Sequence, residues 1–143
     1  MTPRGEKKGI LGLADDKMCF GCGKKNSRGL KLKFAVSDDE QTIRCRWTPA
    51  KEFQGYADIL HGGIISLILD EMMVNLLWVT KRPAVTAELN VRFKTPARVG
   101  EPLDFEARIA SEKNRLIRME AAAKTGNGRL VAAATASCLW VNR

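Results

Sequence analysis

An apolar run, ILHGGIISLILDEMM at residues 59–73, decides the fold of this chain. It is rich in Leu, Ile and Met and lacks the alternation of apolar and polar residues that marks a half-buried strand. The pattern predicts one helix from about Gly62 to Val79. The helix ends before Pro83, because proline disfavours helical backbone at the residue that precedes it. A helix that is apolar on nearly all sides must be buried on nearly all sides.

Two adjacent acidic residues, Asp70 and Glu71, lie at the centre of this apolar span. Each charge would cost about 2.5–3.5 kcal/mol in a bilayer, so a buried helix of a soluble protein is a better interpretation than a transmembrane segment. The basic N-terminal residues MTPRGEKKG lack the apolar stretch of about 7–15 residues that a secretory signal needs. We therefore expect a cytoplasmic protein with no membrane partner.

Alternation of apolar and polar residues predicts strands through most of the remaining chain. The six segments are LKLKFAV (30–36), TIRCRW (42–47), AVTAELNVRF (84–93), LDFEARIA (103–110), IRMEAAA (117–123) and LVAAATASCLWV (130–141). The last is apolar almost throughout, as expected for a central strand covered on both faces. Short turns favour antiparallel neighbours. The sequence thus predicts an α+β fold: a curved antiparallel sheet of about six strands wraps part of a long central helix, and a second copy covers the rest.

The length of 143 residues suits one domain, which we place at residues 19–143, with residues 1–18 as an N-terminal extension and disorder limited to the ends. The net charge of +8 indicates a polyanionic partner such as nucleic acid, an acidic surface or a phosphate-rich cofactor. Nucleic acid is disfavoured because the basic residues are spread along the chain and aromatic residues make up only 6% of it.

Four cysteines include one C-x-x-C pair, Cys19 and Cys22, which could be half of a zinc site. The other two thiols, Cys45 and Cys138, are isolated in strand-like segments, and the single histidine is distant in sequence. The favoured interpretation is a glycine-rich turn with two reduced, partly buried thiols, and no metal site is predicted.

The start of the predicted helix carries a pair of glycines, Gly62 and Gly63. The first N–H groups of a helix have no intrahelical partner and carry partial positive charge, and glycine allows close approach to them. Such a terminus can bind a carbonyl oxygen and the oxyanion that forms when the carbonyl is attacked. Two glycines before a helix are also common in an ordinary turn.

Asp70 is a carboxylate in apolar surroundings, where an ionised group needs partners or must take up a proton. A catalytic base or nucleophile is one explanation, and an ion pair of Asp70 or Glu71 with a basic residue at an interface is the other. Gly62 and Asp70 are eight residues apart, or about 12 Å along a helix. If both act on one substrate, they must come from two copies of the chain.

Three quoted stretches carry a family resemblance: FQGYADILHGGIISLILDEMM (53–73), AVTAELNVRFKTPARVGEPL (84–103) and CFGCGKKNSRGLKLKF (19–34). The chain resembles the hotdog-fold acyl-CoA thioesterases, specifically the phenylacetate-pathway type of the 4-hydroxybenzoyl-CoA thioesterase superfamily. The resemblance implies a long helix wrapped by an antiparallel sheet, in a dimer that often pairs again into a tetramer. It also implies hydrolysis of an acyl-CoA to a free acid and CoA.

By this resemblance Asp70 is the base or nucleophile, Gly62 supplies the backbone oxyanion donor, and His61 supports the turn and the thioester end. Thr86 falls where some members have a Ser or Thr that orients the water. Its alternation with its apolar neighbours turns it away from the helix, however, unless the strand bends or bulges. Many members have an amide side chain six residues before His61, where this chain has glycine, so Gln54, one position earlier, is the candidate for that role.

Coenzyme A would explain the basic excess, because its phosphate groups call for Lys and Arg at the mouth of the pocket. The resemblance places the CoA contacts at two turns, with candidate residues Lys94, Arg98, Lys113, Asn114 and Arg115. CoA is then part of the substrate, and no separate cofactor is expected. Two alternatives remain: a non-catalytic acyl-CoA-binding module, and a hotdog acyl-thioester dehydratase or hydratase that uses His61 with a carboxylate.

Overall fold

A computed structural model describes residues 12–141 of the chain. The expected N-terminal extension falls largely on residues 1–11, which lie outside the described residues. In chain order the elements are β1 (Ala35–Val36), β2 (Thr42–Trp47), a short 3-10 helix (Lys51–Phe53), α1 (Gly62–Val79), β3 (Ala84–Phe93), β4 (Leu103–Lys113), β5 (Leu116–Thr125) and β6 (Leu130–Trp140).

The six strands form one antiparallel sheet in the order β1-β2-β4-β5-β6-β3, and α1 packs against one face of it. The helix contacts every strand from β2 to β6, so the sheet curves around it. This arrangement confirms the predicted hotdog architecture. The inward residues of β2, β4 and β5 are also those that alternation predicts, since Ile43, Phe105 and Met119 are all at most 1% exposed.

The helix α1 supplies the centre of the core. Its buried residues are Ile65, Ile68, Leu69, Met72, Met73, Leu76 and Leu77. By length and composition α1 is able to cross a membrane, but a core helix passes the same test, and α1 packs against five strands. Residues 12–141 of one chain cover it incompletely, because Ile64, Leu67, Asp70 and Val74 remain only half-buried.

The outer face of β6 differs from the expectation of a strand covered on both sides. Ala134, Ala136 and Cys138 face inward and are buried, whereas Thr135 and Leu139 on the opposite face are exposed. The helix covers one face of the sheet, and within residues 12–141 no layer lies above the outer face of β6. The apolar sequence of β6 predicted a layer on each face of the strand, but the described residues provide a layer, the helix, on one face alone.

A β-bulge interrupts β3 and changes which side chains face the helix. Thr86 pairs with Cys138 and Glu88 pairs with Ser137, so Ala87 is left without a partner on β6. Two residues of β3 therefore lie opposite one residue of β6, and beyond the bulge the inward-facing positions shift by one residue. Regular alternation predicted Ala87 on the inward face, which is wrong, while Leu89 beyond the bulge does pack against the core.

Candidate active site

Asp70 lies half-buried in the middle of α1 and accepts a hydrogen bond from β3. The Thr86 hydroxyl Oγ1 donates to Asp70 Oδ1 at a distance of 2.6 Å. The bulge at Ala87 permits this contact, because it keeps Thr86 on the helix side while Leu89 also faces inward. The sequence predicted that Thr86 would face the helix only if β3 bent or bulged, and the structure has such a bulge. The contact fixes one carboxylate oxygen, and Oδ2 has no hydrogen-bond partner within residues 12–141.

Cys138 is a neighbour of this pair that the sequence did not reveal. It is fully buried on β6, directly opposite Thr86. Burial raises the pKa of the Cys138 thiol, a hydrogen bond with Thr86 lowers it, and the charge of Asp70 raises it. The thiol is therefore held in its neutral form beside the carboxylate. Cys138 lies 68 positions after Asp70 in an otherwise ordinary strand, so no local pattern signals it.

The tip of α1 is capped by His61. Its backbone has extended dihedral angles (φ −62°, ψ 128°), and its ring nitrogen Nδ1 accepts a hydrogen bond from Gly63 N at 2.8 Å. A Cβ atom on Gly63 would lie 3.0 Å from Nδ1, so a larger residue would crowd the cap. His61 thus satisfies one of the unpaired donors of the helix start. The structure thus places His61 at the helix cap, and its part at the thioester end stays a prediction.

Gly62 is the first residue of the helix, and its N–H has no hydrogen-bond partner within residues 12–141. The aromatic ring of Phe93 lies over it, since a Cβ atom on Gly62 would come within 3.3 Å of that ring. Phe93 itself is 54% exposed. The helix tip therefore combines an available backbone donor with an exposed apolar ring, a combination suited to a carbonyl group with an apolar substituent.

Gln54 lies beside His61 at the same tip. Its side-chain oxygen Oε1 accepts from Asp58 N at 3.0 Å and from Lys51 Nζ at 3.3 Å, which leaves the amide NH2 as a donor. Gln54, His61 and Gly63 line a small cavity of about 250 Å³. The candidate amide is therefore brought to the helix tip, although Gln54 is one residue from the position that the family pattern uses.

The five residues proposed for CoA form two groups at opposite ends of β3. Lys94 and Arg98 follow the Phe93 end, where an isolated bridge joins Arg98 to Ile59 just before the helix tip. Lys113 ends β4 and residues 114–115 form the turn to β5, all near the Ala84 end of β3, because Arg115 Nε donates to the carbonyl of Trp140, the residue paired with Ala84. A ten-residue strand spans roughly 30 Å. One chain therefore does not bring the two groups together.

The two acidic residues of α1 have different surroundings. Asp70 meets Thr86, whereas Glu71 faces the N-terminal segment, where Cys19 Sγ donates to Glu71 Oε1 at 3.2 Å. Burial raises the pKa of the Cys22 thiol beyond its usual range, and the adjacent Glu71 and Cys19 raise it further. Asp70 and Glu71 are thus adjacent in the chain, but their side chains face different parts of the protein. The family pattern selects Asp70 as the site residue.

Similar solved structures agree with the fold. A hypothetical thioesterase from Streptococcus pneumoniae, solved with coenzyme A, has a TM-score of 0.73 at 13% identity, covering 78% of this chain and 90% of that one. A phenylacetic acid degradation-related protein from Ralstonia eutropha has a TM-score of 0.69 at 24% identity, covering 77% of this chain and 85% of that one. At these identities the likeness concerns the fold alone.

Sequence similarity identifies the family. Acyl-coenzyme A thioesterase 13 of Mus musculus is 26% identical over 91 residues, which are 62% of this chain and 65% of the mouse protein. The matched part thus spans slightly less than two thirds of that relative. The family model of the thioesterase superfamily matches residues 57–132, more than half of the chain, and this range contains Gly62, Asp70 and Thr86. The chain therefore belongs to the thioesterase superfamily and has its hotdog fold.

Proposed function

We propose that this protein is an acyl-CoA thioesterase whose active site is shared between two copies of the chain. The hydrogen bond from Thr86 to Asp70 carries this proposal, because it holds a half-buried carboxylate in one orientation and leaves its second oxygen unengaged by the described residues. A positioned carboxylate of this kind is suited to activate water or to attack a carbonyl carbon.

In the proposed reaction the thioester carbonyl oxygen binds the Gly62 N–H at the tip of α1. Asp70 accepts a proton from water as the water oxygen attacks the acyl carbon, and the negative charge on the carbonyl oxygen is stabilised by that N–H. The carbon–sulfur bond then breaks, and the CoA thiolate takes up the proton. Direct attack by Asp70 would instead form a mixed anhydride, which rapid quenching and intact mass measurement would detect as an added acyl group.

The two-copy arrangement follows from the positions of these groups along β3. Asp70 contacts the Thr86 end of this strand, and Gly62 contacts its Phe93 end. Since β3 is a ten-residue edge strand, its outer backbone groups are available for pairing with another strand. Antiparallel pairing of two copies of β3 about a two-fold axis would place the Phe93 end of one beside the Thr86 end of the other. Each Asp70 would then approach its partner's helix tip.

The same symmetry would combine the two groups of basic residues. Lys94 and Arg98 lie at the Gly62 end of β3, and residues 113–115 lie at the Asp70 end. In the proposed dimer the first group from one chain meets the second group from the other, which creates a cationic mouth for the phosphates of CoA. The solved Streptococcus pneumoniae relative that holds coenzyme A supports this choice of ligand.

The primary test is a hydrolysis screen against a panel of acyl-CoA substrates with different acyl groups, measured by release of free CoA thiol. We expect hydrolysis by the native chain and a loss of about 10²–10⁴-fold in kcat for Asp70→Asn. The same protein is also assayed for hydration of enoyl-CoA. Hydration without hydrolysis would support a hydratase, and tight acyl-CoA binding without turnover would support a binding module; either result would overturn the proposal.

Mixed dimers test whether the site is shared. Gly62→Pro removes the proposed N–H donor at the first helical position, where proline is tolerated. If the site is shared, Asp70→Asn and Gly62→Pro chains are each inactive alone. Equimolar mixing after dissociation and reassociation then restores on the order of one quarter of native activity, since half the dimers hold one intact site of two. If each site lies within one chain, mixing restores nothing.

A further inference from the structure

The C-x-x-C turn contacts the middle of α1 at Glu71, forming a cluster that the proposed hydrolysis does not use. Cys19, Cys22 and Glu71 each offer one ligand atom, and these three atoms lie within 4.8 Å of one another. All three residues are half-buried. Asn75, one helical turn beyond Glu71, donates from Nδ2 to Cys22 Sγ at 3.4 Å and to Glu71 Oε1 at 3.5 Å. Four polar side chains thus converge on one point.

The backbone of this turn is built to hold the two thiols in place. Gly23 N donates to Cys19 O at 2.8 Å, and Lys25 N donates to Lys17 O at 3.0 Å. A Cβ atom on Gly23 would lie 2.5 Å from the Cys19 backbone, so only glycine fits there. This tight loop directs both sulfur atoms to the same side, as a metal-binding Cys pair requires.

The turn is also fitted closely to the helix. A Cβ atom on Gly21, between the two cysteines, would lie 2.7 Å from the Glu71 side chain. Further along, Leu30 N donates to Phe20 O and Leu32 N donates to Gly21 O, each at 2.9 Å. These bonds anchor the turn from both sides, so the thiols are held against Glu71 by the backbone as well as by their own contacts.

From this arrangement we propose that Cys19, Cys22 and Glu71 bind a zinc ion, with Asn75 or a water molecule as the fourth ligand. Two thiolates and one carboxylate are a ligand set that Zn²⁺ accepts, whereas Mg²⁺ and Ca²⁺ prefer oxygen ligands and iron–sulfur clusters generally need more thiolates. With bonds of about 2.3 Å to sulfur and 2.1 Å to oxygen, tetrahedral zinc separates its ligand atoms by roughly 3.6 Å. The cluster needs only small side-chain shifts to reach that spacing.

Asn75 fits the fourth position after rotation of its amide. Its NH2 group now faces Cys22 and Glu71, as suits a protonated thiol and a carboxylate. Turning the amide by half a rotation presents Oδ1 to the same point, and oxygen is a ligand that zinc accepts. Asn75 therefore acts as a donor to the cluster without the ion, and it can act as a ligand with the ion where water does not take the fourth position.

The proposed ion would fasten the N-terminal segment to the helix beside the active site. Cys19 and Cys22 precede β1, while Glu71 follows Asp70 directly in α1. A bond across 52 residues closes a long loop and would add stability without touching the substrate. Its role is therefore structural, and the two adjacent acidic residues of α1 have separate functions.

The test uses the full-length chain without a polyhistidine tag, purified under reducing conditions. We expect about one zinc per chain by elemental analysis, its release to a zinc-binding dye when the thiols are modified, and a rise in Tm when Zn²⁺ is added to metal-free protein. Substitution by Co²⁺ should give the visible bands of a tetrahedral site and a thiolate charge-transfer band in the near ultraviolet.

Matched variants assign the ligands. Cys19→Ser, Cys22→Ser and Glu71→Gln should each lower zinc affinity by at least the roughly 10–100-fold that loss of a supporting residue costs. Cys45→Ala, which removes a buried thiol elsewhere, and Asp70→Asn, which removes the neighbouring carboxylate, should both bind zinc normally. Circular dichroism verifies that each variant is folded.

Two results would overturn the proposal. One is native protein that neither contains zinc nor changes its Tm or Co²⁺ spectrum on titration while its thiols are reduced. The other is a stable Cys19–Cys22 disulfide that persists in reductant, seen as a mass lower by two hydrogens, which would make the pair a redox element. Neither result depends on acyl-CoA hydrolysis, so this test and that of the proposed function fail independently.

Discussion

Thr86 on β3 and Asp70 on α1 are joined by a hydrogen bond of 2.6 Å between the hydroxyl and one carboxylate oxygen. The contact exists because β3 bulges at Ala87, which lets Thr86 and Leu89 share the helix side of the strand. A bulge of this kind re-aims a side chain at a functional position. We infer that the irregularity of β3 serves the orientation of the Asp70 carboxylate.

Thr86→Val should lower kcat while leaving KM nearly unchanged, because valine keeps the shape of threonine but cannot donate to Asp70. Misplacement of a reacting group can cost up to about 100-fold in rate, which sets the upper limit of the loss. Thr86→Ser retains the hydroxyl and should recover most of the activity. Steady-state kinetics of both variants make the comparison. Equal activity of the Val and Ser variants would show that the hydrogen bond has no role in turnover.

Two substitutions of Gly62 test separately the role of its N–H donor and the need for free space beside it. Gly62→Pro removes the N–H, and loss of one oxyanion donor costs about 10²–10³ in kcat. Gly62→Ala keeps the N–H and adds a methyl group 3.3 Å from the Phe93 ring, which is exposed enough to shift. We expect the alanine variant to retain substantial activity. A proline variant as active as the alanine variant would remove the Gly62 N–H from the mechanism.

His61→Ala should lower the free energy of unfolding by about 0.5–2 kcal/mol, the usual cost of losing an N-cap acceptor. The acceptor lost is Nδ1, which bonds Gly63 N at 2.8 Å. His61→Asn supplies a side-chain oxygen at the same position and should recover most of that stability. Urea unfolding of the three proteins measures the difference. Equal destabilisation by alanine and asparagine would show that His61 does not stabilise the protein by capping the helix.

Charge reversal at the proposed CoA mouth should raise KM more than it changes kcat. Lys94→Glu and Lys113→Glu represent the two groups, and each should raise KM by about two- to tenfold, the range for a partly solvated ion pair. The effect should shrink as ionic strength increases. Lys33→Glu, an exposed lysine elsewhere on the chain, is the matched control. A KM for the control that rises as much as for the two variants would indicate a general charge effect.

The sequence predicted the helix and five of the six strands well because each has a clear periodicity, but the first predicted strand, residues 30–36, is wrong over most of its length, since only Ala35–Val36 pair in the sheet. The apolar run gave bounds of Gly62 to Val79, and the structure has the same bounds. Regular alternation gave the inward residues of β2, β4 and β5 correctly. It failed at β3, where a one-residue bulge reverses the pattern without any signal in composition.

The sequence by itself determined the core helix and most of the strands, because these depend on local patterns of apolar and polar residues, and the family resemblance of its motifs selected Asp70 over Glu71 as the candidate carboxylate. Only the tertiary structure decided that Thr86 meets Asp70, that Cys138 lies beside them, and that Glu71 turns instead to Cys19 and Cys22. These contacts join residues from 16 to more than 50 positions apart. These contacts depend on the register between strands and on the rotation of the helix about its axis. Neither the register nor the rotation can be predicted from the sequence of a single segment.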